Sequence, residues 1–403
     1  MVGCTHPIHT GVVLTSPSLR RVGQVALRAG ARWGVEESPP VNRAGVDVVA
    51  KDGRAARGGG RPTLAAVAEA AGVSLKTASR VLNNEPSVSE STRLKVRAAA
   101  DALGFRRNAV AADLARGGVS RLVGFVTGDI ANPFYSDLAS GIERELRKHG
   151  LQLITASSDE DVDRERELID ALIERRVAAL FIAPTADDHS YLRSELADGV
   201  PIVFLDRPPG GIDADTVVLD NRAGAAAAAR HLVDQGHRRI ALAGDLPRLW
   251  TFRERREGFV NALRDAGIDD PERYVRDGLH DAETARVAVE ELLALDEPPT
   301  AILTANNKIT QGALRALHPA ARGARRDVAL VGFDDFELAD ILEVSVVGYE
   351  VSAMGQEAAR LAVARIESPG EPAHLRVVPT VLIPRGSGEI ALAAPLEGVP
   401  AVG

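Results

Sequence analysis

The chain of 403 residues holds one cysteine, Cys4. A single thiol excludes a disulfide framework and a thiolate metal site, and it suits a reducing compartment, the cytoplasm. Runs of about eighteen apolar residues, the length a membrane span needs, are missing as well. The apolar stretch VVLTSP near the front is short and no small-residue cleavage site follows it, so no secretion signal is expected. Catalytic signatures are also absent. No G-x-G-x-x-G follows a strand-like run, no Walker lysine loop is present, and the GSG around Ser387 lacks the preceding glycine of a nucleophile elbow. His231 and His237 stand six residues apart, which does not bring both to one helical face. No metal, no cofactor and no enzymatic centre is expected, and acidic runs such as SDEDVDRERE read as a solvated helix start.

What is present begins with an uneven charge. The formal net charge is −8, yet Met1 to Pro62 carries nine basic and four acidic side chains, and Thr63 to Arg116 carries eight and five. A basic front on an acidic body fits a DNA-contacting head, because phosphate attraction needs only the head. Residues 1–62 are rich in Gly, Arg, Ala and Pro without periodicity, and are expected to be a disordered, dispensable extension.

The stretch TLAAVAEAAGVSLKTASRVL, Thr63 to Leu82, predicts two short helices joined by a tight turn. Thr63 stands at the start, Leu64, Val67, Ala68 and Ala71 share one face, Gly72 ends the first helix, and Ser74 can cap the second. Ala78, Val81 and Leu82 make the inward face of that second helix. Leu75, Lys76, Thr77, Ser79, Arg80 and Asn83 point elsewhere, a polar row able to meet base edges and phosphates in a major groove. A third helix follows, capped by Ser89 and stopped at Gly104, with Leu94, Ala98 and Ala102 on one face and Ala99 and Leu103 beside it. The segment from Asn108 to Arg116 is too short to be a stable helix alone. It can order on DNA beside a second copy, with Leu114 pushed between base pairs in the minor groove.

From Arg121 the pattern alternates between strand and helix. LVGFVT, LQLITAS, AALFIA and PIVFLDRP are separated by the helical stretches Phe134 to His149, Asp161 to Arg176 and His189 to Ala197. TVVLD, RIALAG, TAILTAN and DVALVGF then repeat the rhythm around Asn221 to Gln235, Phe252 to Ala266, Ala282 to Leu295 and Lys308 to Leu317. Two doubly wound parallel sheets fit this count, and two such sheets facing each other make a ligand cleft at their carboxyl ends. The late helix Ala353 to Ile366 and the strand VVPTVLI suggest that the chain crosses back between the lobes.

These motifs, in this order, carry a resemblance. TLAAVAEAAGVSLKTASRVLN, VSESTRLKV, NAVAADLARG, NPFY, VPIVFLDR, GHRRIALAG, RREGF, GALRAL and VGFDD are similar to the LacI/GalR family of bacterial transcriptional repressors, over residues 63 to about 387. The resemblance implies an all-α helix-turn-helix head at 63–107, a hinge helix and linker at 108–118, and a two-lobed core at 119–395 like a periplasmic sugar-binding protein. The first lobe is expected at about 119–219 and 347–376, the second at about 220–346 and 377–395. It further implies a cytoplasmic homodimer on palindromic double-stranded operator DNA, switched by a small effector, most simply a sugar that releases the repressor from carbohydrate genes. A purine- or other metabolite-responsive, corepressed regulator of the same family stays open, as do, more remotely, a non-DNA-binding sugar-binding protein and an α/β enzyme.

Position by position, Leu75, Lys76 and Arg80 resemble the family's base-reading residues. Thr63, Ser74, Thr77, Ser79, Asn83 and Asn108 fall among the DNA contacts, and Ala111 with Leu114 resembles the minor-groove pair. The effector candidates are Phe134, Tyr135, Asp206, Arg207, Asp220, Arg255, Asn307, Asp334 and Tyr349. The chain departs from the family in three places. Arg107 stands where proline is frequent; Ala305, Asn306 and Asn307 replace AND and lose a carboxylate; Tyr349 and Glu350 stand where Gln and Pro are common. After Glu389 no heptad indicates a coiled coil.

Overall fold

The computed structural model describes residues 62–83, 85–106, 120–318 and 328–392. The expected hinge, with Asn108, Ala111 and Leu114, lies outside the described residues, as do residues 1–61 of the expected extension.

Three helices open the described chain: α1 (Leu64–Ala70), α2 (Leu75–Leu82) and α3 (Glu90–Ala102). Gly72 turns between the first two at φ +64°, a conformation a side chain would strain. The Ser74 hydroxyl caps α2 by accepting the Thr77 amide at 3.1 Å, and Ser89 caps α3 through Thr92. Val67, Ala68, Ala78, Val81, Val96 and Ala100 form a closed mini-core. The face expected for α3 is therefore corrected. Val96 and Ala100 point inward, whereas Leu94 is 61% exposed. In an alanine-rich helix both stripes are apolar, and the choice is made by Arg93, on the same face as Val96. Its guanidinium donates back to the Glu85 and Val88 carbonyls at 3.2 and 3.4 Å, drawing that side onto the preceding turn.

The first lobe is built from β1 (Leu122–Thr127), α4 (Pro133–Lys148), β2 (Gln152–Ser157), α5 (Val162–Glu174), β3 (Leu180–Ile182), α6 (Arg193–Ala197), β4 (Ile202–Leu205) and β5 (Asp215–Leu219). The second holds α7 (Asn221–Asp234), β6 (Ile240–Ala243), α8 (Trp250–Asp265), β7 (Val275–Arg276), α9 (Ala282–Leu293), β8 (Ala301–Thr304), α10 (Asn307–Leu317), β9 (Ala329–Phe333) and β10 (Ser345–Gly348). Helix α11 (Val351–Glu367) and strand β11 (Leu375–Val378) return to the first lobe, and β12 (Val381–Ile383) ends in the second. The strand orders are β2-β1-β3-β4-β5-β11, all parallel, and β7-β6-β8-β9-β10-β12, where only β12 runs antiparallel. Central strands such as β3, β4 and β8 are buried along their whole length, because helices cover both faces.

Several expectations change in detail. VVPTVLI is two strands in two sheets, broken at Pro379, which has no amide hydrogen for a ladder. The stretch expected as one helix at 189–197 is a 3-10 turn, Ser190–Leu192, running into the short α6. The chain crosses between sheets at 219–221, 348–351 and 378–381. After the second crossing α11 lies against α4, where Gly141 faces the Ser352 carbonyl and Gly355 faces the Leu138 carbonyl. A Cβ on either glycine would overlap that backbone, so the two helices close only because both are glycine.

Candidate functional site

Most of the segments that follow the strands at the two sheets' carboxyl ends contribute to one cleft, open to solvent between the lobes. From the first lobe come Asp129 after β1, Asn132 at the cap of α4, Phe134 and Tyr135 on that helix, Glu160 after β2, and Asp206 and Arg207 after β4. The second lobe supplies Asp245 after β6, Arg255 on α8, His280 after β7, Asn306 and Lys308 around the start of α10, Asp334 after β9 and Tyr349 after β10.

Two similar constellations sit in this cavity, one per lobe. In the first, Tyr135 donates its hydroxyl to Asp206 at 3.3 Å, and the Arg207 Nε lies 3.4 Å from the same carboxylate. In the second, Tyr349 donates to Asp334 at 2.7 Å, and Arg255 Nη2 lies 3.7 Å from that carboxylate. Both aspartates adopt left-handed backbone, at φ +69° and +71°, and their amides donate to the Val217 and Val347 carbonyls of the neighbouring strands β5 and β10. Such a conformation costs on the order of 1 kcal/mol outside glycine, and it recurs here at matched strand ends of the two lobes. Phe134 lies between the tyrosines, edge-on to Tyr135 at 5.0 Å and to Tyr349 at 6.1 Å.

Burial raises the Asp206 carboxyl above the usual range, against the opposing pull of Arg207 and of Arg255 from the other lobe. Burial works against the Arg207 charge, but Tyr135 and Glu160 hold it as a firm cation. Glu160 takes Arg207 in a two-pronged grip at 2.8 and 2.6 Å, and the Pro184 carbonyl accepts from the same guanidinium at 2.9 Å. Arg255 donates to Asn221 Oδ1 at 2.7 Å and to the Ala305 carbonyl, and stacks 3.7 Å above the Phe333 ring. His280 is raised by its hydrogen bond to Asp245, and that carboxyl is lowered because this bond and the Leu246 amide outweigh its burial. Hydrogen bonds that join the lobes include Lys308 to Asp129 at 2.9 Å, Asn307 Nδ2 to Asn132 Oδ1 at 2.9 Å, and Arg248 to the Glu160 carbonyl at 2.9 Å.

Of the effector candidates, Phe134, Tyr135, Asp206, Arg207, Arg255, Asp334 and Tyr349 line the cavity. Asn307 lines the adjoining opening, which shares Phe134, Asp334 and Tyr349 with it. Asp220 is not brought in; its carboxylate caps α7 by accepting the Ala223 amide at 3.1 Å. Glu160 corrects the reading of SDEDVDRERE as solvated, since it is buried under Arg207. Asp129, Asn132, Glu160 and Asp245 all stand within a few residues of a strand's carboxyl end, a signal the strand pattern already contained. His280 follows β7, two residues long, which leaves no such pattern.

On α2 the polar row is outward. Leu75 is 53% exposed, and the Ser74 and Thr77 hydroxyls share a 2.8 Å hydrogen bond. Asn83 donates to the Ser79 hydroxyl at 3.3 Å, and Arg80 rests 3.6 Å from the Glu85 carboxylate. Thr63 directly precedes α1.

Two family descriptions match successive parts of the chain: bacterial regulatory proteins of the lacI family over residues 63–108, and the periplasmic binding proteins and sugar binding domain of the LacI family over 120–385. The chain belongs to the LacI family. This member is 31% identical to the HTH-type transcriptional regulator GalR of Escherichia coli strain K12, over 81% of this chain and 95% of GalR. Its structure is similar to the Lac repressor dimer bound to operator and the anti-inducer ONPF, at TM-score 0.70 and 27% identity, covering 82% of this chain and 100% of that one. It is also similar to the transcriptional regulator CelR–cellobiose complex, at TM-score 0.60 and 30% identity, over 81% and 100% of the two chains. The LacI-family chain is thus a DNA-binding transcriptional regulator with a helix-turn-helix head and a two-lobed effector-binding core.

Proposed function

We propose that this regulator is a dimeric, cytoplasmic repressor of carbohydrate genes, released from its operator when a small sugar-like effector occupies the cleft. The observation that supports this most is the pair of Tyr–Asp–Arg constellations on opposite lobes of one cavity. Aspartates accept hydroxyl protons, arginines donate to hydroxyl oxygens, and an effector gripped by both sets fixes the angle between the lobes. Leu75, Lys76 and Arg80 read base edges, with Arg80 leaving Glu85 for guanine O6 and N7. Thr63, Ser74, Thr77, Ser79, Asn83 and Asn108 position the head on phosphates, and Ala111 with Leu114 wedges the minor groove as part of the hinge, 108–118. The second copy meets an apolar patch formed by Leu338, Ile341 and Leu342, which are 53, 72 and 55% exposed after β9.

The test uses fluorescence anisotropy on a duplex that the full chain selects from random DNA. Added mono- and disaccharides should release the wild-type chain, while Arg255→Ala should bind the same duplex and ignore every sugar that releases the wild type. A variant that is still released would sink the assignment of Arg255. Tighter DNA binding on adding a purine or another metabolite would favour the corepressed reading instead.

A further inference from the structure

The cleft is crowded with charge, yet no cation in it is free. Five carboxylates line it: Asp129, Glu160, Asp206, Asp245 and Asp334. Against them stand Arg207, Arg255 and Lys308, with Arg248 reaching Glu160 from the rim and His280 attached to Asp245. Arg207 is held by both oxygens of Glu160, Lys308 by Asp129 at 2.9 Å, and Arg255 by Asn221, the Ala305 carbonyl and Asp334. Arg248 spends one donor on the Glu160 carbonyl and lies 3.9 Å from its carboxylate. Asn307, buried at the adjoining opening, adds an amide and no charge.

What is left over is hydrogen-bonding capacity rather than charge. The buried Arg207 Nε–H, 3.4 Å from the Asp206 carboxylate, makes no hydrogen bond, and neither does the buried Asn307 Oδ1 at the adjoining opening. Asp245 Oδ1 and Glu160 Oε2 each already accept two hydrogen bonds, but the carboxylates of Asp129, Asp206 and Asp334 keep lone-pair capacity beyond the bonds they accept. One unused donor, one unused acceptor and several spare carboxylate lone pairs suit hydroxyl groups, each of which both donates and accepts. An anion meets the opposite situation. To be neutralised it must detach a cation from Glu160, Asp129 or Asp334, and that leaves a carboxylate unpaired inside the protein, a strongly unfavourable exchange.

We infer that the cleft takes an uncharged, polyhydroxylated ligand and rejects phosphorylated or carboxylated counterparts of the same sugar. This rests on the effector reading of the cleft and adds the ligand's charge class to it. Titration calorimetry on the full chain tests it with neutral pentoses, hexoses and disaccharides as probes, followed by the phosphate monoester and the uronic acid of each sugar that binds. The anionic forms should bind more weakly by tenfold or more, since one carboxylate about 6 Å away at an effective dielectric near 20 weakens an anion on the order of a hundredfold. A smaller loss, or binding of the phosphate ester alone, overturns the charge assignment and leaves the sugar reading standing. Silence from every carbohydrate, charged and neutral alike, overturns both. Asp129→Asn gives an independent check, because it frees Lys308. The ratio of phosphate-ester to neutral-sugar affinity should rise about tenfold, and an unchanged ratio contradicts the claim that cation pairing excludes anions.

Discussion

At the scale of single residues, the cleft shows why some side chains announce themselves in sequence and others do not. Arg255 is one of four arginines on its helix and is singled out only by the resemblance of RREGF, and it reaches the Ala305 carbonyl, Asn221 and Asp334 from there. Glu160 sits among so many acidic neighbours that nothing in the row distinguishes it. What buries it is the turn after β2, where Asp159 and Glu160 both take left-handed backbone at φ +54° and +57°. His280 belongs with Glu160, and it carries a prediction of its own. Its hydrogen bond to Asp245 raises its protonation range in the folded chain, so the charged pair contributes stability that is fully present below about pH 6.5. That contribution is lost as pH rises through the raised folded value. His280→Gln should therefore lower the melting temperature more at pH 6 than at pH 8, with the gap closing between them. His237 works in the opposite sense, since burial lowers its range, so the comparison is the difference between variant and wild type at each pH. A gap that widens towards pH 8 would falsify the pairing.

At the scale of elements, the alternation of strand and helix from Arg121 onwards was readable because central parallel strands are continuous apolar runs, and helices return at regular intervals. The pattern is silent where tertiary pairing decides. VVPTVLI has one composition but two sheets, and the two-residue β7 exists only because β6 offers it an edge. Helix α3 is the sharper case, since its alanines fit either face and Arg93 selects one. The consequence is measurable. Val96→Ala opens a void among α1, α2 and α3 and should cost about 2 kcal/mol, whereas Leu94→Ala on the exposed side should stay within about 0.5 kcal/mol. Hydrogen exchange of the α1–α3 amides in the full chain separates the two. Equal loss of protection in both variants would mean that Leu94 is also an inward residue.

At the scale of the whole molecule, the head's reading power sets the demand for a second copy. On the proposed reading, three side chains, Leu75, Lys76 and Arg80, meet base edges and each discriminates by about 1–3 kcal/mol at best, so one head would distinguish only a short half-site, and a palindromic operator would double that discrimination only when two heads are held together. The sequence showed this demand but not the surface that meets it, because FELADIL reads as an ordinary amphipathic turn until its exposure is seen. Leu338, Ile341 and Leu342 lie within five residues on one loop, and among the described residues Ile341, at 72%, is the most exposed of the large apolar side chains. A charge placed there stays solvated in a monomer and is buried without a partner in a dimer, a cost of several kcal/mol for each copy. Ile341→Glu with Leu342→Glu should therefore sediment as a monomer at micromolar concentration with an unchanged melting profile of the two-lobed core. Operator affinity should fall by a hundredfold or more, while affinity for random DNA, carried by phosphate attraction to each basic head, should fall far less. A double variant that remains dimeric would move the interface elsewhere on the core. A monomeric variant with undiminished operator affinity would mean that one head and its hinge suffice, and the pairing of half-sites would lose its physical basis.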